Sequence, residues 1–401
     1  EDNRQNTRQT AAVALGKLGN AIAVEPLVKV LQDSHPAVTH AAILSLGQLG
    51  DPSVVDKIIA CLENSSDISV QEAAVRALGE LGEHSAVEAI VTELMHSKTA
   101  SIREAAATSL GQLGNPRAVK PLIEAMKDPE SSVVRAAVIA LGELDDDQAV
   151  KPLLAAWEQD TQQEAIREAA GVAIGKLDPS LALASSIKKL KHEDLGVRES
   201  AAEVLGQMRN DDAVEPLLEA LENGPGWGSW LQGIFDSSRK EAEQCFQEAL
   251  VTSLGQLGNK RAVESLIEQL NSKHGPPVQK AAATSLGQIG DPQAVAPLLA
   301  VWEQDKQQED IRDAAGVALA TLDPKSALSK GIEKLEDEDP EVRLSAAEIL
   351  CRIDDNQVEE HRLQEAVEQL LATLNDDNPF VCDAASRALS EISGLYARHP
   401  H

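Results

Sequence analysis

Cysteine and histidine are the side chains of this sequence most able to act as nucleophiles or metal ligands. The chain has four cysteines and nine histidines, but it contains no C-x-x-C pair and no H-E-x-x-H motif. We therefore predict no metal site, no catalytic site and no disulfide framework. Cys61 occupies an apolar helix position typical of a core thiol, whereas Cys245 lies beside an irregular segment and is the cysteine of most interest.

The second candidate is a cluster of large apolar side chains in the segment Glu222–Gln244. The chain has four Trp, three Phe and one Tyr, and three of these aromatic residues fall within nine positions of this segment. Gly224-Pro225-Gly226 interrupts the preceding helix, and exposed tryptophan is a frequent anchor of protein interfaces. Alternatively, these rings fold back and fill a discontinuity in the packing. The predicted partner-binding residues of this segment are Trp227, Trp230, Leu231, Ile234 and Phe235.

The elements that must position this cluster follow from an internal repeat. A Leu-Gly pair, which is Ile-Gly at residues 174–175, recurs at nearly regular intervals, apart from longer steps between Gly206 and Gly255 and between Cys351 and Ser390. A period of roughly 30 residues is typical of stacked helical units that bury their apolar faces against their neighbours. The repeated glycines are Gly16, Gly47, Gly79, Gly111, Gly142, Gly175, Gly206, Gly255 and Gly287, and the equivalent later residues are Ala320, Cys351 and Ser390.

Each repeat is predicted to hold two helices and no strand. In residues 115–140, apolar residues follow a helical spacing as far as Met126, and Asp128-Pro129 ends this first helix. Pro121 fits near the helix start, where a missing N–H costs little. The second helix carries pairs of alanines that allow close packing, and the Leu-Gly glycine is predicted to mark its end.

Two blocks of the array are near copies of each other. Trp157-Glu158-Gln159-Asp160 returns later in the chain as Trp302-Glu303-Gln304-Asp305, and both tryptophans take a first-helix position that we predict to pack in the core. The duplication predicts a first array of repeats over residues 1–221, the aromatic insertion over residues 222–244, and a second array over residues 245–401. This second array duplicates residues of about 100–221 and ends in a cap.

The charge of the chain limits the kinds of partner it can have. With 36 basic and 65 acidic residues, the formal net charge is −29. Such an acidic field repels phosphate groups, so we predict no nucleic-acid partner. The sequence contains no run of 18 apolar residues for membrane insertion and no recognisable signal peptide, so we expect a cytoplasmic protein.

The most regular repeats resemble a known family. Residues 110–122, LGQLGNPRAVKPL, and residues 286–298, LGQIGDPQAVAPL, are similar to the HEAT repeats grouped as PBS lyase HEAT-like repeats. The resemblance implies an all-α, right-handed α-solenoid of about twelve HEAT-like helix pairs, with the second helices lining the concave side. The family includes E/F-type phycobilin lyases, which attach or detach bilin chromophores on phycobiliprotein cysteines. It also includes many interaction scaffolds.

The resemblance further implies a basic residue eight positions before the Leu-Gly glycine, near the start of the second helix. Arginine fills six of these twelve positions. We predict that these arginines pair with acidic groups in the turns between helices, because the guanidinium favours bidentate carboxylate contacts. An anion-binding groove is the alternative, and Arg198 is included in the predicted partner site. The six arginines are Arg8, Arg103, Arg167, Arg198, Arg312 and Arg343.

From these features we predict a scaffold or assembly factor that is not an enzyme, has no cofactor, and binds another protein along the concave surface and at the insertion. The alternative, which only the resemblance implies, is a phycobilin:phycobiliprotein lyase or a related phycobilisome factor. In that case the ligand is a bilin tetrapyrrole, stacked on the aromatic insertion with Arg198 at its propionates. The partner is then a phycobiliprotein.

Overall fold

The computed structural model describes residues 2–159, 163–223, 237–272, 274–303, 309–353 and 358–396. The chain divides into two compact units, Glu1–Ser185 and Ser186–His401. The helices of the first unit are α1 (Asp2–Lys17), α2 (Val24–Val30), α3 (Pro36–Leu49), α4 (Val55–Asn64), α5 (Ile68–Leu81), α6 (Val87–His96), α7 (Ala100–Leu113), α8 (Val119–Ala125), α9 (Ser131–Glu143), α10 (Val150–Glu158), α11 (Glu164–Leu177) and the larger part of α12 (Pro179–Lys189).

The second unit continues in the same style. Its helices are α13 (Leu195–Gln207), α14 (Val214–Asn223), α15 (Ser237–Leu257), α16 (Val263–Leu270), α17 (Pro276–Ile289), α18 (Val295–Glu303), α19 (Glu309–Leu322), α20 (Pro324–Lys334), α21 (Pro340–Leu350), α22 (Glu360–Thr373) and α23 (Pro379–Tyr396). Throughout the described ranges the structure contains helices, turns and bends but no strand. The all-α class predicted from the repeat is therefore confirmed.

At five junctions, the turn that joins one repeat to the next is encoded by a short Gly-Asn or Gly-Asp sequence. After α7, Gly114 has a φ of 62°, in the left-handed region that glycine adopts most readily. The Asn115 side chain then accepts a hydrogen bond of 3.0 Å from the backbone N–H of Arg117. A short 3-10 turn, Pro116–Ala118, leads from there into α8. At these junctions the capping fixes where the following first helix begins.

The Leu-Gly glycines do not end the second helices, and that part of the sequence prediction is wrong. Gly111 lies inside α7, and a Cβ atom added to it would lie 2.9 Å from Cα of Ala140 in the next second helix. The glycine is therefore needed for the close approach of consecutive second helices. Ser109 joins α7 to the preceding second helix, α5, since its buried hydroxyl donates to the carbonyl oxygen of Val75 at 3.1 Å.

Each unit is built by stacking helix pairs. In the first unit, each of the second helices α3, α5, α7 and α9 packs against the second helix before it, the one after it and its own first helix. In the second unit, α15, α17, α19 and α21 do the same. Trp157 and Trp302 are fully buried, as their positions in the repeat predict. The predicted segment boundaries at residues 222–244 stay a prediction.

Candidate partner-binding sites

Three of the predicted arginines form a closed clamp with an aspartate of the following repeat. In the best buried example, Arg103 Nε and Nη2 donate to the two carboxylate oxygens of Asp128 at 2.7 and 2.8 Å. Arg103 Nη1 also donates to the carbonyl oxygen of Ser97 at 3.0 Å. The two charged side chains are only 13% and 10% exposed. The arginine thus ties its own helix to the turn of the next repeat.

Arg8 with Asp33, and Arg343 with Asp376, repeat this bidentate geometry. In each pair the pKa of the carboxyl group is lowered, and the largest cause is the hydrogen bond that the arginine donates. The same bonds raise the pKa of the three arginines. The predicted pairing of arginines with acidic turn residues is confirmed at these positions.

Arg198 occupies the same repeat position but forms an open clamp. Its Nε donates to the carbonyl oxygen of His192, where Arg103 uses Nη1 for the equivalent bond to Ser97. The repeat position that holds Asp128 in the closed clamp holds Asn223 in the open one. Within the described part of the chain, no carboxylate bonds to this guanidinium.

The open clamp faces a cavity of about 440 Å³ in the second unit. Arg198 Cζ lies 5.8 Å from the centroid of the Phe246 ring, which is within cation–π range. The other apolar side chains of the wall include Ile187, Leu190 and Pro216. Burial, and then repulsion by Arg239, lowers the pKa of Arg198. Both effects disfavour the charged form of the guanidinium.

A second cavity, of about 490 Å³, lies at the same register in the first unit. Here Thr39 takes the arginine position and Asn64 the aspartate position, so neither half of the clamp is present. Cys61 also lines the cavity, and burial raises the pKa of its thiol. The prediction of a core thiol is only partly correct, because Cys61 is half-buried.

The remaining arginine positions differ from both arrangements. Arg167 and Arg312 are buried, at 5% and 3% exposure, and take equivalent places in the two duplicated blocks. They lie deeper than Arg103, whose side chain is 13% exposed. The predicted pairing of these two arginines with acidic turn residues stays a prediction.

The second helices of the first unit also expose an apolar groove that the sequence reasoning did not identify. It has a volume of about 220 Å³ and lies between α9 and α11. Ile139, which is 43% exposed, and Val172 stand three residues before their Leu-Gly glycines, where α7 has Thr108. Arg135 and Lys176 also line the groove. This substitution of apolar for polar residues is the sequence signal that could have revealed it.

The aromatic residues predicted for partner binding lie outside the described residues. The structure describes the chain up to Asn223 and again from Ser237. The proposed role of this segment therefore stays a prediction. The residues concerned are Trp227, Trp230, Leu231, Ile234 and Phe235.

The described residues contain no group of three or more His, Cys, Asp or Glu placed to hold a metal ion. Cys245 is exposed, whereas Cys351 and Cys382 are half-buried. None of the helices described is both long enough and apolar enough to cross a membrane.

Comparison with protein families gives two matches. A family of HEAT repeats matches five stretches that cover most of the chain, residues 1–79, 55–141, 161–228, 231–320 and 327–398. The PBS lyase HEAT-like repeat matches residues 133–156. No curated protein sequence matches the chain.

Solved structures similar to this chain include large helical solenoids. A structure of a Kap95:Nup1 complex has a TM-score of 0.57 at 15% identity, with 94% of this chain and 56% of that chain covered. A structure of importin beta has a TM-score of 0.53 at 14% identity, with 97% and 61% covered. The CpcE–CpcF complex of phycocyanin lyase from Nostoc sp. PCC7120 has a TM-score of 0.38 at 22% identity, with 65% and 93% covered.

Proposed function

Because the chain belongs to the HEAT-repeat family, we propose that it is a non-catalytic scaffold that binds a partner protein. In this proposal the partner contacts the second helices, the open clamp at Arg198 and the aromatic insertion. Family membership establishes the fold, and many functions share one fold, so the argument for function comes from the surface.

The observation that carries the proposal is the row of second helices in direct contact. Within each unit, close approach at glycines such as Gly111 brings neighbouring second helices together, so their outward side chains form a continuous surface on that unit. Repeat proteins use extended surfaces of this kind to bind their partners. On this surface, the groove at Ile139 and Val172 offers an apolar contact flanked by Arg135 and Lys176. An apolar centre with a charged rim is the usual anatomy of a protein interface.

The test is a pull-down with the purified chain as bait and identification of bound proteins by mass spectrometry. Ile139→Glu places a charge in the groove, and Ile22→Glu places the same charge at an 80% exposed position of the 3-10 turn before α2. We expect Ile139→Glu to weaken capture of the partner about 30-fold, as for an interface hot spot, and Ile22→Glu to leave capture unchanged. Equal capture by both variants would remove the second-helix surface from the proposal.

A second arm addresses the insertion. We expect the Trp227/Trp230/Phe235→Ala variant to reduce capture of the same partner if the insertion contributes aromatic anchors. Unchanged affinity in this variant would confine the contact to the helical repeats.

The alternative of a bilin-handling protein has the match of residues 133–156 to the PBS lyase HEAT-like repeat in its favour. It predicts recovery of a phycobiliprotein in the pull-down and binding of free bilin by the purified chain. A titration in which the bilin absorption spectrum shows no saturable change at micromolar bilin would count strongly against this alternative. Recovery of an unrelated protein would support the scaffold.

A further inference from the structure

We propose that the cavity at Arg198 binds an aspartate or glutamate side chain of the partner protein. That side chain supplies the carboxylate that the clamp lacks because Asn223 stands in the aspartate position. The inference rests on the proposed protein-binding function, and it adds the chemical group that the second unit recognises.

The first step of the argument is the hydrogen-bonding capacity of Arg198. In the closed clamp, Nε and Nη2 of Arg103 bind the carboxylate and Nη1 binds a backbone carbonyl. In the open clamp Nε takes the backbone carbonyl, and among the described residues Nη1 and Nη2 have no hydrogen-bond acceptor. Two parallel N–H groups at the end of a guanidinium are the geometry that binds a carboxylate in a bidentate manner.

The second step is the charge of the cavity. Lys191 and Glu219 also line it, but they neutralise each other in an ion pair of 3.2 Å. Among the described residues that line the cavity, Arg198 is therefore the one cation without a carboxylate bonded to it, although the formal net charge of the whole chain is −29. The half-buried guanidinium is poorly solvated, and a carboxylate from outside would restore the missing half of the ion pair.

The third step is the shape of the wall. The Phe246 ring lies against the guanidinium, and Ile187, Leu190 and Pro216 continue the apolar surface. Such a wall excludes water from one side of the charged pair, which strengthens the electrostatic attraction. A volume of about 440 Å³ admits an acidic side chain together with a neighbouring apolar group. An acid beside an apolar residue is therefore the motif that we expect in the partner.

The experiment uses the full chain, labelled with 15N in arginine, and follows the Nε–Hε signals by NMR. Benzoate is the probe because it joins a carboxylate to an apolar ring, while benzyl alcohol and benzylamine have the same ring without the negative charge. Sodium chloride keeps the ionic strength constant. Inorganic phosphate tests whether any anion is enough to shift the Arg198 signal. We expect saturable shifts of the Arg198 signal with benzoate alone.

Variants assign the signal and test the site. Arg198→Gln removes the signal and so assigns it, and calorimetric titration of this variant should show benzoate affinity at least tenfold below that of the wild type. Arg261→Gln removes the same charge from an exposed pair with Glu215 and should change the affinity less than twofold. The inference is overturned if benzoate produces no saturable shift, if benzyl alcohol or phosphate binds equally well, or if Arg198→Gln binds benzoate as well as the wild type.

The titration contains no partner protein, so it separates the inference from the proposed function. Failure of the titration together with loss of capture in Ile139→Glu would leave the scaffold intact and remove only the carboxylate site. A positive titration without any captured partner would keep the carboxylate site and count against the proposed scaffold.

Discussion

Arg103 and Arg198 lie near the start of equivalent helices in different units, yet they contact different groups. Arg103 is held by Asp128, whereas Arg198 lies over Phe246 and faces a cavity. The two sites differ at one position of the following repeat, which is aspartate in one case and Asn223 in the other. An arginine repeated along a solenoid is thus a structural tie where its acidic partner is present, and we propose that it binds an external carboxylate where asparagine takes the place of that partner.

The local backbone contributes to the contrast. The helix α8 ends at Ala125, so Asp128 lies in the following turn and can reach Arg103. The helix α14 continues to Asn223, whose side chain donates to the carbonyl oxygen of Glu219 at 2.7 Å. Asn64 at the end of α4 makes the same contact with Ala60. An asparagine at this position therefore caps its own helix instead of tying two repeats together.

The largest expected effect is the loss of a closed clamp. Asp128→Asn leaves the 13% exposed Arg103 without its carboxylate, and removing one partner of a largely buried pair costs about 3 kcal/mol. Arg198→Gln removes a group that bonds to no carboxylate among the described residues, so we expect only the loss of its backbone hydrogen bond and its contact with Phe246, a cost of about 1 kcal/mol. The measurement is the thermal unfolding midpoint of each variant. Similar losses in both variants would erase the distinction between closed and open clamps.

The second effect concerns acid stability. Because the pKa values of Asp33, Asp128 and Asp376 are lowered in the folded state, their contribution is fully present above the unfolded pKa of about 4. It is lost as the pH falls through the lower, folded pKa values. We expect the unfolding midpoint to fall more steeply below about pH 4 in the wild type than in Asp128→Asn. Arg198→Gln should keep the wild-type slope, and a flattened slope in that variant would contradict this assignment.

Most of the fold could be predicted from the repeat, because period, alanine pairs and first-helix prolines all reflect local packing. The role of the Leu-Gly glycines could not be predicted from the repeat. The sequence LGQLG contains two glycines, of which Gly111 permits close helix approach and Gly114 adopts a left-handed turn conformation. Both roles require glycine, and only the three-dimensional contact with Ala140 tells them apart.

The candidate site was only partly predictable. The arginine positions could be identified from the sequence, but their state depends on the residue that packs opposite each one. Reading Arg198 together with Asn223 would have indicated an open clamp. The cavity at Thr39 is harder to foresee, since it results from a side chain that is too short to fill the space. The groove at Ile139 depends on which face of α9 stays exposed.

The smallest expected effect is also the most specific, because Asn223→Asp should convert the open clamp into a closed one. A new bidentate pair with Arg198 contributes about 2 kcal/mol. Against it stand the lost cap to Glu219 and an unfavourable negative charge at a helix C-terminus, together about 1 kcal/mol. The net gain of about 1 kcal/mol should raise the unfolding midpoint of this 401-residue chain by about 1 °C.

The same substitution should weaken benzoate binding, since the internal carboxylate would accept the hydrogen bonds of the Arg198 guanidinium that benzoate needs. Asn223→Ala is the matched control: it loses the cap without supplying a carboxylate, so it should lower the midpoint slightly and leave benzoate affinity unchanged. If Asn223→Asp behaves like Asn223→Ala in both measurements, the residue opposite Arg198 does not decide between the two states. The end of α14 would then be the determinant, because a helix that continues to residue 223 keeps any side chain there away from the arginine.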